Sequence, residues 1–573
     1  MRTPTLRRGA VLSRTRSAAA GLRILAASGI VRPFSPVVLA QLVRIVREWG
    51  TGPAGGFLSL AVRYPERVGI IDDLGSVTYG ELEERGNALA RALADRGVGV
   101  GDGVAIMCRN HRYFVDATVA AAKLGADALY LNTAFAAPQL AGVLERERPR
   151  AVICDEEFLD VLADTGDAVR LLAWTDGSTG PDRRFETLEA LIDLGDPSPM
   201  PVPPRHGRVI ILTSGTTGTP KGAPRTEAGI DAAVALLSRM PLREGWRTHI
   251  AAPMFHTWGI AHLLLAMLLG STMVLRRRFD PEDALATIAA QRCESAAVIP
   301  VMMQRILALP AETLAGYDLS SLRVVASSGS ALPGDLALAW MDRFGDRLYN
   351  VYGSTEVAYA SIATPADLRA APTSAGRPPW GTRIRILDPA GRELPAGESG
   401  RIFVGNGLLF EGYSGGGGKE VVDGLMSTGD LGRLDRDGRL HVEGRDDEMI
   451  VSGGENVFPQ EVEDCLVRHP AVAEAAAVGV ADERFGQRLR AFVVLADADA
   501  AGDRIEEELK DWVRDHLARF KTPREILLLD ELPRNATGKV LKRELRHGGQ
   551  DGRDDRDGQD DRDGQDPTNQ SEG

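Results

Sequence analysis

Short apolar runs and longer amphipathic stretches alternate along the first half of the chain. Alanine-rich helical stretches lie at residues 79–95 and 115–124, and apolar runs lie at 104–107 and 151–154. Further strand-like runs lie at 209–212, 296–301, 322–326 and 348–351. Alternating helix and strand patterns are typical of layered α/β folds. Several of the runs lead into loops of small residues, which is where α/β sheets carry their functional groups.

The run WGIAHLLLAMLLGSTMVL at residues 258–275 approaches the length of a membrane span. His262 interrupts it, and Gly270 stands where a helix C-cap would release the chain into a strand at 272–275. The pattern therefore predicts a buried helix followed by a short strand.

The pattern changes in the second half of the chain. Between residues 376 and 444, short runs are broken by Gly, Pro and Asp in segments such as DPAGRELPAGESG and DRDGRL, which predict turns between antiparallel strands. Beyond residue 445, about a hundred residues with mixed helix and strand patterns have the size of an ordinary domain. Residues 548–573 form an Asp/Gly/Arg/Gln near-repeat with no apolar face, which predicts disorder.

The first 50 residues are strongly basic, with nine arginines against the single acid Glu48. Apolar residues among these arginines fit an amphipathic helix on an anionic membrane, and they fit equally well a helix packed on the folded body. Arg23 interrupts the apolar stretch 18–30, which argues against a signal peptide. The Gly/Pro cluster at 50–56 predicts a linker or loop into the first folded element.

Composition narrows the class of protein. A chain of 573 residues is too long for one compact core, so a large multi-lobed domain and a smaller one are expected. The contents of 44% hydrophobic and 26% charged residues are those of an ordinary soluble protein, and the net charge of −13 argues against a nucleic-acid partner. The four cysteines form no CxxC pair, so no zinc site or disulfide framework is predicted and a reducing cytoplasm fits best.

The string TSGTTGTPKG at residues 213–222 directly follows the apolar run 209–212. Small residues let the backbone approach a phosphate chain, hydroxyl groups add donors, and Lys221 adds a cation. A Walker A loop is excluded because it requires Gly-Lys-Ser/Thr after four spacers, whereas here Pro220 precedes Lys221 and Gly222 follows it. The string therefore predicts a phosphate-binding loop. The alternative is a solvent-exposed turn with no role in binding.

Seven further motifs follow in a fixed order. They are PMFHTWG at 253–259, SGSALP at 328–333, YGSTE at 352–356, STGD at 427–430, GR at 444–445, SGGE at 452–455 and PRNATGK at 533–539. With these motifs the chain resembles the adenylate-forming superfamily of acyl-CoA synthetases, luciferases and nonribosomal-peptide adenylation domains, over about residues 57–545. The resemblance implies an α/β fold with a large multi-subdomain N-terminal adenylating domain and a small mobile α+β C-terminal domain. The implied parts are an extension at 1–50, an AMP-binding domain at 51–444, a hinge at 445–447, a C-terminal domain at 448–547 and a disordered tail at 548–573.

The same resemblance implies an ATP- and Mg²⁺-dependent ligase that converts a fatty or related apolar carboxylate to acyl-AMP and transfers the acyl group to coenzyme A. The implied nucleotide-binding residues are Thr213, Ser214, Gly215, Thr216, Thr217, Gly218, Lys221, Ser328, Gly329, Ser330, Tyr352, Gly353, Ser354, Thr355, Asp430, Arg445 and Lys539. The implied catalytic residues are Lys539, Glu356 and Thr355, and the implied metal ligands are Thr213 and Glu356.

Individual roles also come from the resemblance. Tyr352 would face the base, and Asp430, supported by Arg445, would accept hydrogen bonds from both ribose hydroxyls. Thr355 would lie near the α-phosphate. Lys539 would bridge the substrate carboxylate and the α-phosphate, which offsets their repulsion as the carboxylate attacks.

A change of domain position between the two half-reactions is implied as well. Asp447 would be the pivot of the hinge, and Gly453, Gly454 and Glu455 would form the loop that faces coenzyme A. The hinge reads GRDDE where the common family pattern is Gly-Arg-x-Lys-Asp, so the resemblance does not imply the nucleotide contact that this lysine makes in relatives. The segment SGGGGK at 414–419 replaces a longer Asn/Pro/Glu-rich segment of relatives, and no function is predicted for it.

The acyl pocket is predicted at His256, Thr257 and Trp258, with a core histidine as the alternative for His256. No motif acid is placed to hold an amino-acid ammonium, and the following helix is rich in Leu, Met and Ala, which favours an apolar acyl chain. Two other functions stay open: transfer to an acyl-carrier protein, and a catalytically silent nucleotide-binding scaffold. Peripheral membrane contact through residues 1–50 and a homodimer also stay open.

Overall fold

The computed structural model describes two compact units. The first comprises Met1–Asp446 with Ala536–Lys539, and the second comprises Asp447–Asn535 with Val540–Gly573. The described residues are 19–135, 137–162, 165–176, 185–213, 221–225, 230–410, 412, 418–446, 450–452, 455–482, 486–497, 504–535 and 538–547. The predicted fold class, a large α/β domain with a smaller one, is confirmed. The tail predicted at 548–573 lies outside the described residues.

The first unit contains two large sheets that are parallel except at their edges. Among the described residues, one sheet has eight strands, in the spatial order Ser361–Ala363, Leu348–Tyr352, Val324–Ser327, Ser295–Val298, Arg247–Ile250, Thr272–Val274, Val68–Asp72 and Gly75–Thr78. The other has seven, in the order Glu186–Thr187, Val169–Leu172, Ala151–Cys154, Gly103–Met107, Asp127–Tyr130, Val209–Thr213 and Lys221–Arg225. Parallel pairing brings the carboxyl ends of neighbouring strands to one edge of each sheet.

A third sheet in this unit is antiparallel, as the turn-rich sequence at 376–444 predicts. It pairs Arg383–Leu387, Gly400–Gly405, Leu425–Leu434 and Val421–Val422 in this order, and Leu440–Arg445 pairs with Leu425–Leu434. In that last pair, Asp430 lies opposite Arg445. The antiparallel sheet therefore presents both of these predicted ribose-binding residues at one place.

Helices flank the sheets of the first unit. Their bounds in the described chain are residues 19–27, Pro36–Trp49, Pro53–Arg63, Tyr79–Asp95, Arg112–Leu124, Ala137–Glu147, Leu188–Leu194, Ile230–Leu237, Thr257–Leu269, Pro281–Ala290, Pro300–Leu307, Ala311–Ala315, Gly334–Phe344 and Pro365–Ala370, with a 3-10 turn at Glu156–Phe158. None of the described helices is long and apolar enough to cross a membrane. The helix predicted in the apolar run ends at Leu269, and Gly270 caps it in the left-handed region before the strand Thr272–Val274.

The main hydrophobic core joins the two large sheets. One buried cluster contains strand residues of both sheets, such as Ile70 and Ile106, together with the helices Tyr79–Asp95 and Arg112–Leu124. The first of these helices starts with a capping box, in which Thr78 and Glu81 satisfy each other's backbone N–H groups. Apolar burial on both faces of the helices therefore fixes the spacing of the sheets.

The basic N-terminal segment packs on the first unit over its described part. In the helix Pro36–Trp49, Ile45 and Trp49 are buried against Ala54. Arg32 forms an ion pair with the buried Glu244, Nε to Oε2 at 2.5 Å, and the backbone N–H of Glu244 donates to a carbonyl of the same segment. The prediction of a helix packed on the folded body is therefore confirmed for residues 36–49, whereas contact of residues 1–50 with a membrane stays a prediction.

Two local predictions are wrong. The strand predicted at 296–301 is shorter, Ser295–Val298, because Pro300 begins the helix Pro300–Leu307, where its missing N–H is tolerated. The Gly/Pro cluster at 50–56 is mostly the start of the helix Pro53–Arg63. A Cβ at Gly56 would lie 2.1 Å from the Met267 sulfur, so the glycine lets this helix pack closely on the helix Thr257–Leu269.

The second unit is a small α+β domain. Its sheet contains Glu455–Val457, Ile450–Ser452, Gly486–Leu495 and Val472–Asp482 in this order, and Glu525–Leu528 pairs in parallel with Gly486–Leu495. Its described helices are Pro459–Val467, Ile505–His516 and Lys542–His547, with a 3-10 turn at Arg519–Lys521. The first two helices pack together on the sheet through Leu466, Leu509 and Val513, all fully buried.

Candidate active site

The candidate site lies where central strands of the eight-stranded sheet end. Ser328 follows the strand Val324–Ser327, and its hydroxyl donates to the carbonyl of Val351 in the neighbouring strand at 2.7 Å. Gly329 has φ +96°, which favours glycine because a Cβ would be strained there. The predicted segment 328–330 is therefore held against the strand that ends at Tyr352.

The segment after Tyr352 folds into a tight turn. A Cβ at Gly353 would lie 2.3 Å from the carbonyl oxygen of Ala358, so only glycine fits this close approach. The Ser354 hydroxyl accepts hydrogen bonds from the N–H groups of Glu356 and Val357 at 3.3 and 3.4 Å. These contacts fix the backbone that carries Thr355 and Glu356, two of the predicted catalytic residues.

Asp430 is the centre of a polar cluster that includes three predicted nucleotide-binding residues. The Tyr352 hydroxyl donates to Asp430 Oδ2, and Arg445 Nη1 donates to Oδ1 at 3.3 Å. The backbone N–H of Asp430 donates to the buried Thr428 hydroxyl at 3.1 Å. Asp430 is 9% exposed, so its carboxylate is held in one orientation between the eight-stranded and antiparallel sheets.

Burial and charge act on Asp430 in opposite directions. Burial raises the pKa of Asp430 above its usual value, and the Tyr352 hydrogen bond and the Arg445 charge lower it. The charges of Lys539 and Lys419 lower that pKa as well. Burial and the neighbouring Asp430 raise the pKa of Tyr352 well above its usual value, so the phenol stays a hydrogen-bond donor at neutral pH.

Lys539 is distant in sequence from Asp430, and the segment around it lies against the first unit. Residues 536–539 group with the first unit, and Gly538 meets Val301 closely enough that a Cβ would lie 2.4 Å from it. The charge of Lys539 acts on Asp430, as its effect on the carboxyl pKa shows. The described contacts therefore bring together Tyr352, Asp430 and Arg445, and the charge of Lys539 lowers the pKa of the Asp430 carboxyl.

The predicted acyl segment lies beside the predicted nucleotide segment. Thr257 Oγ1 is 3.5 Å from Thr355 Oγ1, which joins the start of the helix Thr257–Leu269 to the turn after Tyr352. Burial lowers the pKa of His256 to about 4, so its ring is neutral at physiological pH, and its Nε2 has no hydrogen-bond partner among the described residues. Trp258 instead lies in the core and donates its indole N–H to the Val298 carbonyl at 3.1 Å.

Asn110 supports the backbone before His256, and sequence reasoning misses it. Its side-chain N–H groups donate to the carbonyls of Ile250 and Ala252 at 3.0 and 2.9 Å, and its oxygen accepts from the N–H of Met254 at 2.9 Å. All three contacts hold the segment that leads to His256. A single asparagine has no sequence signal of its own, because its partners are about 140 residues away.

Other predicted residues lie outside the described part of the chain. They are Ser214, Gly215, Thr216, Thr217 and Gly218 of the phosphate loop, Asp447 of the hinge, and Gly453 and Gly454 of the CoA-facing loop. Thr213, Lys221 and Glu455 lie in strands, but their side chains are not described. Their roles stay predictions.

Comparison with known proteins gives consistent matches over both units. Residues 58–414 match the family described as AMP-binding enzyme, and residues 461–539 match the family described as AMP-binding enzyme C-terminal domain. Feruloyl-CoA synthase of Amycolatopsis sp is 35% identical over 478 residues, which cover 82% of this chain and 94% of that protein. Fatty acid–[acyl-carrier-protein] ligase ScoC of Streptomyces coeruleorubidus is 31% identical over 82% of this chain and 91% of that protein. Anthranilate CoA ligase AuaEII in complex with anthranoyl-AMP has a similar structure, with a TM-score of 0.77 and 26% identity over 87% of this chain and 97% of that chain.

Proposed function

Because this chain belongs to the AMP-binding enzyme family, we propose that it is an AMP-forming acid–CoA ligase that activates a carboxylic acid as its acyl-adenylate. The observation that supports this proposal most is the contact of Tyr352 and Arg445 with Asp430, near the Thr257–Thr355 contact, with the charge of Lys539 also acting on Asp430. In this arrangement a carboxylate could bind the ribose, cations could bind a phosphate, and the adjoining segment at Thr257 could contact the acyl group.

In the first step, a carboxylate oxygen of the substrate attacks the α-phosphorus of ATP. A carboxylate–phosphorus bond forms, the bond from the α-phosphorus to the bridging oxygen breaks, and pyrophosphate leaves. Two anions must approach each other in this step, so a cation between them lowers the barrier. We assign this role to Lys539, with Asp430 and Arg445 orienting the ribose.

In the second step, the thiol of coenzyme A attacks the acyl carbonyl. The thioester bond forms, and AMP leaves with the oxygen that joined it to the acyl group. We propose that a hinge at residues 445–447, pivoting at Asp447, exchanges Lys539 for the loop at 453–455 between the two steps. The boundaries 51–444 and 448–547 for the two domains belong to the same proposal.

Glu356 fits a Mg²⁺ site. Its backbone carbonyl accepts from the N–H of Phe410 at 2.8 Å, which holds the residue in place, and its side chain offers the hard oxygen ligand that Mg²⁺ prefers. We propose Glu356 and Thr213 as the protein ligands. When bound there, the ion neutralises charge on the β- and γ-phosphates.

For the acid, we propose an aromatic or similarly apolar carboxylate. Feruloyl-CoA synthase and the anthranilate CoA ligase act on aromatic acids by name, and both are similar to this chain. The neutral His256, with Nε2 unpartnered among the described residues, suits a polar ring substituent. A straight-chain fatty acid is the second candidate, because the helix Thr257–Leu269 is rich in Leu and Met.

A pyrophosphate-release screen tests this function. Benzoate, cinnamate and ferulate are compared with straight-chain acids of graded length, each with and without coenzyme A, and thioesters are separated by chromatography. We expect acid-dependent release that yields a CoA thioester, with kcat/KM for the favoured aromatic acid at least about tenfold above the straight-chain acids. Pyrophosphate release that gives a thioester only with a holo acyl-carrier protein would show that the acceptor is the carrier protein and not coenzyme A. If no acid-dependent pyrophosphate release occurred, the chain would be a catalytically silent nucleotide-binding scaffold.

A further inference from the structure

We infer that one water molecule binds in a small cavity of the first unit, where it joins the side chains of His262 and Ser271. The cavity has a volume of about 10 Å³, which is about the space that a single water molecule needs. It lies where the helix Thr257–Leu269 packs on the strand Arg247–Ile250. A water molecule there satisfies two buried groups that have no partner among the described residues.

The cavity is at the edge of the eight-stranded sheet that faces away from the candidate active site. Thr248 and Ser295 line it, and they are paired at the amino ends of two parallel strands. The candidate site lies where strands of this sheet end. The water site is therefore separate from the proposed ligase chemistry, and the inference does not rest on the proposed function.

His262 presents an unpaired acceptor. Its Nδ1 lies 3.3 Å from the carbonyl oxygen of Trp258, one helical turn earlier, and because a carbonyl only accepts, Nδ1 carries the ring hydrogen. Burial lowers the pKa of His262 to about 4, so the ring is neutral at physiological pH and Nε2 has a lone pair and no hydrogen. The residue is 2% exposed, and Nε2 has no hydrogen-bond partner among the described residues. This nitrogen therefore requires a donor from elsewhere.

Ser271 presents an unpaired hydroxyl. Its backbone N–H donates to the carbonyl of Ala266 at 2.9 Å, and its backbone carbonyl accepts from the Tyr79 hydroxyl at 2.5 Å. The side-chain oxygen, in contrast, has no partner in the described part of the chain, although the residue is 1% exposed. A buried hydroxyl left unpaired destabilises a fold, so such groups are nearly always bonded to protein or to water. Because Ser271 and His262 line the same cavity, one water molecule can serve both.

The lining groups match the hydrogen-bonding capacity of one water molecule. The water donates one O–H to His262 Nε2 and accepts from the Ser271 hydroxyl. The hydroxyls of Thr248 and Ser295 are 2.7 Å apart and also line the cavity, so an oxygen of this pair can accept the second O–H. Three hydrogen bonds are typical of a buried water molecule.

The lining also argues against other occupants. It contains Arg243 and no carboxylate, which disfavours a metal ion such as Mg²⁺ or Ca²⁺, because these ions prefer anionic oxygen ligands. The volume is too small for an organic molecule. Arg243 is exposed and Trp246 is half-buried, so this cavity lies close to the protein surface, from which solvent can enter.

The test is a crystal structure of the full chain at a resolution that shows ordered water, with the variants Ser271→Ala and His262→Phe. Ser361→Ala is the matched control, because Ser361 is also a buried serine but its hydroxyl donates to the carbonyl of Ala375 at 2.7 Å. Three other strands separate the strand of Ser361 from Arg247–Ile250, which is a distance of about 19 Å. The control therefore removes a buried hydroxyl without touching the cavity.

We expect the unmodified protein to show one water peak within about 3.2 Å of both His262 Nε2 and Ser271 Oγ. The peak should be lost in His262→Phe and weakened or lost in Ser271→Ala, although the second change enlarges the cavity, and it should persist in Ser361→Ala. If the unmodified protein has no such peak, or if the peak is as strong in both cavity variants as in the control, the inference is overturned. The unmodified protein alone gives a decisive result, so a variant that does not fold leaves the test intact.

Discussion

Replacing Lys539 with alanine is expected to reduce acid-dependent pyrophosphate release about 10³-fold while sparing thioester formation from supplied acyl-AMP. The reason is the placement of its charge beside Asp430, where it can offset the repulsion between substrate carboxylate and α-phosphate. The second half-reaction starts from a neutral mixed anhydride carbonyl, so it does not need this cation. The two half-reactions are measured separately, by pyrophosphate release and by chromatography of the CoA thioester.

Lys542→Ala provides the control for this experiment. Lys542 is three residues away and pairs with Glu463 at 2.7 Å, so it tests the loss of a lysine from the same part of the chain. Its adenylation rate should stay within a few fold of the unmodified protein. Equal loss of both half-reactions in Lys539→Ala would contradict the assigned role.

The second large effect is expected for Asp430→Asn. This change keeps the size of the side chain but removes the charge, and one of the two acceptor oxygens becomes a donor. Two charge-assisted hydrogen bonds to ribose hydroxyls are weakened, so kcat/KM for ATP should fall about 100-fold, or about 2.8 kcal/mol. Steady-state pyrophosphate release at varied MgATP concentration measures the change.

Asp388→Asn makes the same isosteric change elsewhere in the antiparallel sheet. Asp388 accepts from the exposed Arg392 in a hairpin turn, and this variant should keep its kcat/KM for ATP. If Asp430→Asn had the same kcat/KM for ATP as Asp388→Asn, Asp430 would not be the ribose ligand.

Much of the fold could be predicted from local pattern. The helix predicted at 79–95 has those bounds, because its capping box and alanine-rich face are both readable along the chain. The end of the helix at Leu269 is also readable, since Gly270 is the residue that adopts the left-handed cap. The helix Pro53–Arg63 was not predicted, because Gly55 and Gly56 lower helix propensity and only packing against Met267 explains them.

Sequence reasoning identifies a residue of the candidate site only when that residue stands in a motif of consecutive residues. Tyr352, Asp430 and Arg445 stand in motifs that the family resemblance identifies, and the structure brings their side chains together. Asn110 holds the segment that leads to His256, and the charge of Lys419 lowers the pKa of Asp430; both residues lie in segments without such a motif. Their contributions depend on distances across the folded chain, which no local pattern contains.

The N-terminal segment shows a similar limit. Its arginines and apolar residues are compatible with a membrane surface. In the structure, however, Ile45 and Trp49 are buried against other residues of the first unit. Arg32 is paired with Glu244, which is separated from it by about two hundred residues. Amphipathic composition alone cannot distinguish a protein surface from a lipid surface, because both offer apolar area and opposite charge.

The central claim, that a carboxylate of the substrate attacks the α-phosphorus of ATP, is tested most directly by oxygen transfer. The acid is labelled with ¹⁸O in both carboxylate oxygens, incubated with ATP and coenzyme A, and the nucleotide product is analysed by mass spectrometry. The proposed chemistry predicts AMP that carries one ¹⁸O atom, because the bridging oxygen of the adenylate stays with AMP when the thiol attacks. A CoA thioester formed with the label in orthophosphate, or with no label in AMP, would contradict it.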